Sequence, residues 1–448
     1  MNILLSVPGY FPHSYGGGQT YVRQLADELR RRGHKVSILS SSRWENGNGK
    51  YSIKFYKHEG IPICSVKVNP SVVHLGDAYS QRGLYLITAI REILREERPE
   101  IIHINGFKPA LVQICGDLEI PFVITAHHPG FVCPAGTLLT KNQTICQKPA
   151  VSGTCIPCCC QQRVSIPILG SMLGFLPNWI SRPIGEMIGK QKGTPYLARG
   201  LAFPWFIGES LKAKRLVLER TPIIIAPSEA MKKCIVLNGV DEKRVVVLPH
   251  GIEPIGKMPL EPVSGRPVRF GYVGSINSPK GFDVLISAFK QIASKQGCEL
   301  HVFGEPQYAW EKSFLDQVLT RYSDSSGIFI HGRIDLEDRY KTYGNIDVVV
   351  VPSTCMEAFG LVTVEAFSAG RPVIVANSGA LPELVRNGVD GFIVERNNSK
   401  FLAEAMRKFI ENPDLVAEMS RQIRPVKTIQ EYVDEVEKIY DQLIFSKN

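Results

Sequence analysis

Apolar and polar positions along the chain fall into two series in which short buried runs alternate with amphipathic stretches. The first series opens with "NILLSV", "GGQTYVRQLADELRRRG" and "HKVSILSS". This is a β-α-β unit in which Gly33 stops the helix and the basic triplet before it fills the last turn. "IIHIN" and "PFVITAHH" continue it as buried strands, as a parallel doubly wound sheet requires. Between 131 and 210 the alternation breaks into a Cys-rich loop, 131–162, and an apolar segment, 163–210, that contains Pro and Gly. "PIIIAPSEAMKKCIV" and "RVVVLPHGIEP" then resume strand and helix.

"PLEPVSGRPV", residues 259–268, has the composition of a linker. After it come "RFGYVGSI", "GFDVLISAFKQIASK", "ELHVFG", "IFIHG", "LEDRYKTYGN", "DVVVVPS", "PVIVAN" and "GFIVE", which predict a second α/β domain over 256–424. In the last helix, "TIQEYVDEVEKIYDQLIF", the positions Ile429, Tyr432, Val433, Val436, Ile439, Tyr440 and Leu443 form one apolar stripe. The second domain is complete without it. Segment 425–448 is therefore expected to cross back and complete the first domain, 1–255.

The 448 residues exceed one ordinary core, in agreement with two domains, and shares of 44% hydrophobic and 21% charged are those of a soluble globular chain. The start, "MNILLSVPGY", reads as a first strand and not as a signal peptide, so a cytoplasmic protein is expected. Net charge +9 points to an anionic partner, a nucleotide, a phosphorylated lipid or a membrane face. Dispersed basic residues disfavour nucleic acid.

Two open parallel sheets facing each other make a cleft at the carboxyl ends of their strands, where ligands of such folds bind. Three loops are expected there. Gly16, Gly17 and Gly18 follow the first strand and precede a helix, so backbone amides can approach a phosphate or a sugar. The triplet is neither a G-x-G-x-x-G motif nor a P-loop, which disfavours a nicotinamide enzyme or an ATPase. In "GSINSPKGFDVL", Lys280 sits where a cation can neutralise a phosphate. "TCMEAFG" lies at the carboxyl end of the strand "VVVVPS" and leads into the helix "LVTVEAFSAG". There Gly360 permits close approach, the amides of Phe359 to Val362 face an anion, and Glu357 and Glu365 can each accept from a diol. For either acid alone, a helix cap or a surface position is sufficient explanation.

The three stretches in this order resemble the retaining glycosyltransferases of family 4, which have the GT-B fold. The family's E-x(7)-E motif stands here as Glu357 and Glu365, followed by "EAFSAGRPVIVANSGALPELVRNGVDGFIVE". The resemblance implies that Glu365 holds the donor ribose, that Glu357 and the backbone from Ala358 to Gly360 bind the transferred sugar, and that the Leu361 and Val362 amides meet the diphosphate. Lys280 would stabilise the leaving group, and His127, in "TAHH", would stand near sugar and acceptor. Where relatives have Arg after the glycine, Ser275 follows Gly274, which leaves phosphate neutralisation to Lys280, helix amides or a basic residue elsewhere. There is no D-x-D, and the transfer requires no metal cofactor.

Cys133, Cys146, Cys155 and Cys158 form C-x(12)-C-x(8)-C-x(2)-C, a spacing that suits a structural zinc site; an iron–sulfur cluster fits four thiolates equally well. Residues 166–189 are too broken by Pro167, Pro177 and Pro183 to span a membrane. Two roles are open to them: lying on an anionic membrane, at its inner face, or covering the first sheet. The reading is a hexosyltransferase that takes a nucleotide diphosphate sugar to a hydroxyl of a glycan or lipid-linked acceptor, in cell-surface polysaccharide or glycolipid synthesis. The alternatives are a nucleotide-sugar epimerase of the same fold and a non-catalytic sugar- or lipid-binding scaffold.

Overall fold

The computed structural model describes residues 1–43, 51–68, 84–106, 108–163, 172–188, 196–261, 263, 265–292, 297–306, 309–321, 327–333 and 338–446. The chain forms two compact units, Met1–Pro249 with Ile429–Asn448, and His250–Thr428.

In the first unit the strands are β1 (Asn2–Pro8), β2 (Lys35–Arg43), β3 (Tyr51–His58), β4 (Ile61–Val68), β5 (Ile101–Asn105), β6 (Phe122–Thr125), β7 (Ile224–Ala226) and β8 (Val245–Val247). They form one sheet in the order β3-β4-β2-β1-β5-β6-β7-β8. All neighbours are parallel except β3 and β4. β5 and β6 are buried throughout, which explains why they read as continuous apolar runs. The β3–β4 hairpin was not expected. It turns at Glu59 and Gly60, with φ of 50° and 77°, a pair of left-handed residues that suits a tight hairpin.

Residues 132–151 of the expected Cys-rich loop are non-helical, but its end and the apolar segment carry helices over Ser152–Arg163, Asn178–Ile188 and Tyr196–Arg220. Pro157, Pro183 and Pro204 lie inside these helices, each at a cost of about 3 kcal/mol in an isolated helix. Packing offsets the cost: Cys159 is buried with Ile207 and Leu211, and Ala202 with Phe206. Residues 164–171 and 189–195 of the apolar segment, Pro167 and Lys190 among them, lie outside the described residues.

The helix Ile429–Phe445 belongs to the first unit and buries Ile429, Tyr432, Val433, Val436, Ile439, Tyr440 and Leu443. Its polar groups are matched as well. The Tyr432 hydroxyl lies 2.7 Å from that of Tyr21, and the Tyr440 hydroxyl 2.7 Å from His103 Nδ1. Arg32 reaches Asp434 at 2.6 Å and Glu437 at 2.7 Å.

In the second unit β9 (Val268–Val273), β10 (Cys298–Phe303), β11 (Ile328–Gly332), β12 (Val348–Val351), β13 (Val373–Ala376) and β14 (Gly391–Val394) are ordered β11-β10-β9-β12-β13-β14, all parallel. Residues 250–255 and 425–428 fall here and not in the first domain as expected. Ile252 N–H donates to Lys427 O at 3.1 Å, and its side chain is buried with Phe359 and Val364.

Candidate active site

A doubly wound sheet opens a crevice where its strand order reverses, because the connections leave to opposite faces there. In the second unit this point lies between β9 and β12. The loop after β9 carries Lys280 and the loop after β12 carries Glu357. Backbone and side-chain bonds join the two loops: the N–H groups of Thr354 and Cys355 donate to Pro279 O at 3.0 and 3.1 Å, and Thr354 Oγ1 donates to Ser278 O at 2.9 Å. Gly281 makes this approach feasible. Its φ is 72°, and a Cβ there would come within 2.0 Å of Pro352 O. Asn277 caps the turn by accepting the Lys280 N–H at 3.1 Å, and its amide donates to Glu311 at 3.0 Å.

Held in this way, Lys280 Nζ donates to Glu357 Oε1 at 2.6 Å and Ser353 Oγ donates to the same oxygen at 2.5 Å. Burial would raise the Glu357 carboxyl, but the Lys280 ammonium and the two hydrogen bonds outweigh it and hold the group below the usual carboxylate range. Burial would lower Lys280, yet Glu357 and Cys355 outweigh it and raise the ammonium above its usual value. The Lys280 side chain is 41% exposed, so the pair contributes about 1 kcal/mol or less to folding. Its consequence is positional: one ammonium is fixed at the crevice and still open to a ligand. On the far side of Glu357, Gly379 lies so close that a Cβ would meet Glu357 O at 2.1 Å, and Ala380 N–H donates to that oxygen at 2.9 Å.

The helix Leu361–Ser368 starts at Gly360, with φ of 102° and no side-chain cap, so its first turn presents the amides of Leu361 and Val362. Phe359 turns inward and packs on His250 with ring centroids 4.9 Å apart; it offers backbone to the site, not its ring. Glu365 is buried, with one oxygen 3.1 Å from Arg339 Nη1 and the other accepting from Tyr343 OH at 2.8 Å. Ser275, in the loop after β9, accepts from Tyr272 OH through its carbonyl at 2.6 Å. Ser353, Arg339, Tyr343 and Gly379 were not anticipated from the sequence.

The first unit has its own reversal, between β1 and β5. Gly16, Gly17 and Gly18 stand at the start of the helix Gly17–Arg31, which also lacks a side-chain cap. His127 follows β6 and lies with Nε2 3.0 Å from Asn105 Oδ1. The Asn105 amide donates to His103 O at 3.3 Å, which turns Oδ1 toward the imidazole. The Tyr21 ring packs edge-on against His127, centroids 4.7 Å apart. Lys108, after β5, is buried and donates to Ser41 Oγ; burial lowers its ammonium to about 8. A lysine just past a buried strand is its only signal in the sequence.

Among the four thiols expected to hold zinc, burial raises Cys155 to about 12, and Cys133, Cys146 and Cys158 add to the effect, so the sulfurs are near one another. Among the described residues, however, no three His, Cys, Asp or Glu side chains are arranged to hold a metal ion. Gln162 Nε2 donates to Cys158 Sγ at 3.3 Å, and Cys159 packs inward. Among the described residues no helix is long and apolar enough to cross a membrane.

Two family profiles match the chain: Glycosyltransferase Family 4 over residues 15–146, and Glycosyl transferases group 1 over residues 243–425. The capsular polysaccharide biosynthesis glycosyltransferase CapM of Staphylococcus aureus is 32% identical over 206 residues, 43% of this chain and 53% of CapM. A lipopolysaccharide 1,2-N-acetylglucosaminetransferase of Salmonella typhimurium is 32% identical over 127 residues, 27% of this chain and 33% of that protein. The match therefore spans about half the length of such relatives or less. Among solved structures, Anabaena HepE in complex with UDP and glucose superposes with a TM-score of 0.66 at 18% identity, covering 98% of this chain and 99% of HepE, a likeness of fold.

Proposed function

For a chain that belongs to the group 1, family 4 glycosyltransferases and has their GT-B fold, we propose retaining transfer of a sugar from a nucleoside diphosphate donor to a hydroxyl of a glycan or lipid-linked acceptor. Its polysaccharide-biosynthesis relatives favour an acceptor of the cell surface. HepE's complex with UDP and glucose makes a UDP-sugar the first donor to try.

The observation that carries the reading is the crevice of the second unit, where Lys280, Glu357 and the uncapped helix start at Gly360 converge. A diphosphate at the helix start meets amides, and Lys280 balances the charge that grows on it as the sugar departs. Glu357 is kept ionised and accepts from hydroxyls of the transferred sugar, while its bond to Lys280 holds both groups in register. Glu365 takes the ribose; a carboxylate has lone pairs beyond the two used by Arg339 and Tyr343. In the first unit, His127 and the Gly16–Gly18 loop serve the acceptor. In a retaining transfer of this kind the departing phosphate accepts the proton of the incoming hydroxyl, so no separate base is required.

The test is a panel of nucleotide sugars screened for thermal stabilisation, which a bound donor produces by mass action. The stabilising donor is then incubated with acceptor glycans and the product analysed by NMR. Transfer with the donor's anomeric configuration is the expected result. An inverted linkage refutes retention, and an epimerised donor formed without acceptor refutes transfer.

A further inference from the structure

We propose that the helix Asn178–Ile188 and the turn before it dock the protein on an anionic lipid surface, as a peripheral contact. The contact is separate from the transfer chemistry, and its test does not involve turnover.

The helix is fixed on one side. Ser181 is fully buried, Ile184 packs with Ala202 and Phe206, and a Cβ on Gly185 would lie 2.3 Å from the Trp205 ring of the helix Tyr196–Arg220. Gly185 therefore lets the helix lie flat on Trp205, and this packing decides which face turns outward. On that outer face Trp179, Pro183 and Met187 follow at i, i+4 and i+8. Trp179 is 75% exposed and Met187 57%, and in the preceding turn Met172 is 66% and Phe175 77% exposed. Four large apolar side chains brought to the surface within one short stretch, over a helix that had an inward face available, mark an interaction surface.

Charge selects the occupant. Residues 131–220 hold 11 Lys and Arg against 3 Asp and Glu, so one fifth of the chain carries +8 of the formal +9. The remaining sequence is close to neutral. Exposed tryptophan and phenylalanine within a basic region match the boundary between acyl chains and anionic headgroups, where the rings enter and the cations stay in the headgroup layer. A neutral apolar partner would make no use of that charge. The three acids of this stretch are each paired, Glu186 with Arg182 at 2.8 Å, Glu209 with Lys212 at 2.7 Å and Glu219 with Arg215 at 3.2 Å, so the excess rests on the other basic residues, of which Lys141, Lys148, Arg199 and Arg220 are exposed.

The experiment is co-sedimentation of the full chain with vesicles of phosphatidylcholine, with and without about one third phosphatidylglycerol. Binding roughly tenfold tighter to the anionic vesicles, weakened by salt, is expected. It should come with a blue shift of tryptophan emission that Trp179→Phe removes while binding persists. The double variant Phe175→Ser/Trp179→Ser changes only exposed positions and should lose at least about tenfold in affinity with unchanged circular dichroism. The proposal is overturned if wild type ignores anionic vesicles, binds both compositions equally, or binds no better than the double variant. Light scattering that shows a dimer in wild type and a monomer in the variant, with no vesicle binding by either, would assign the face to a second copy of this chain and overturn it as well.

Discussion

At the strand reversal of the second sheet, a cation, a carboxylate and a hydroxyl meet within 2.5–2.6 Å in Lys280, Glu357 and Ser353. At the corresponding reversal of the first sheet the groups in contact are the imidazole of His127, the amide of Asn105 and the ring of Tyr21, while the buried cation, Lys108, is turned to Ser41. The topology is shared, and the side chains decide the use of each crevice. A fixed ammonium beside an uncapped helix suits a diphosphate. Neutral donors, acceptors and an aromatic face suit a polyol. The units also differ in how they are assembled: the second is one continuous stretch of chain, whereas the first requires a helix from the far end of the sequence.

Removing that helix breaks the comparison most severely. Truncation after Thr428 takes away seven buried side chains, each worth about 1.5–3 kcal/mol, and leaves the second unit whole. Their sum, about 10–21 kcal/mol, matches or exceeds the roughly 5–15 kcal/mol by which a domain is stable. The first unit should therefore fail to fold, with loss of hydrogen-exchange protection in β1, β5 and β6, far along the sequence from the cut. The second unit should still bind nucleotide. Exposure confined to residues 260–420 would contradict the assignment.

Next in size is the charge pair. Lys280→Ala should lower kcat by about 10²–10³, more than it raises KM, because leaving-group charge is greatest in the transition state. Glu357→Gln should lower kcat as well, and the double variant should do little worse than either single one, since the two groups work as a unit. Additive losses in the double-mutant cycle would show instead that the 2.6 Å contact is incidental to turnover. Glu365→Ala tests the neighbouring assignment: calorimetry should show nucleotide binding weaker by about 1.5–3 kcal/mol, the value of a charged acceptor.

The residues of the second crevice were legible because together they match a family motif: Gly360, two acids eight positions apart, and a lysine between strand and helix, none of which is decisive alone. Ser353, Arg339, Tyr343 and Gly379 were not, since each reaches the site from a position whose residue type says nothing by itself. The first crevice was harder to read. His127 acquires its geometry from Asn105, which is 22 residues away, and the glycine triplet alone also describes a turn. The apolar stripe of the last helix shows all its buried residues in the sequence, because helical period records which side faces a core. The insertion misled for the opposite reason. Pro157, Pro183 and Pro204 signal breaks by local rules, and tertiary burial overrides them. Cysteine spacing likewise could not reveal that Cys159 packs inward and that Cys158 receives the Gln162 amide.

The smallest expected difference between the units lies in their response to acid. His103 is fully buried in the first unit between the Tyr440 hydroxyl and Thr125 Oγ1, both at 2.7 Å, and burial lowers it from 6.5 to about 3. A histidine depressed on folding contributes stability that is present above its unfolded value and lost as pH falls toward its folded value. The first unit should thus begin to weaken below pH 6.5, by roughly 1 kcal/mol per pH unit for this one group. In the second unit Glu357 and Asp347 are lowered from 4.5 and 3.8, so their contributions persist until the pH falls below 4.5. His331 is lowered too, but it stands on the edge strand β11, where solvent limits the effect. Hydrogen exchange at pH 7 and pH 5 should therefore show protection falling first in β5, β6 and the helix Ile429–Phe445. His103→Gln keeps hydrogen-bonding capacity between Tyr440 and Thr125 and removes the proton site. It should lower stability at pH 7 and reduce the slope between pH 6.5 and 5, leaving the part due to His128, which burial and Lys214 lower to about 4; an unchanged slope in that variant would mean that another group drives the acid response of the first unit.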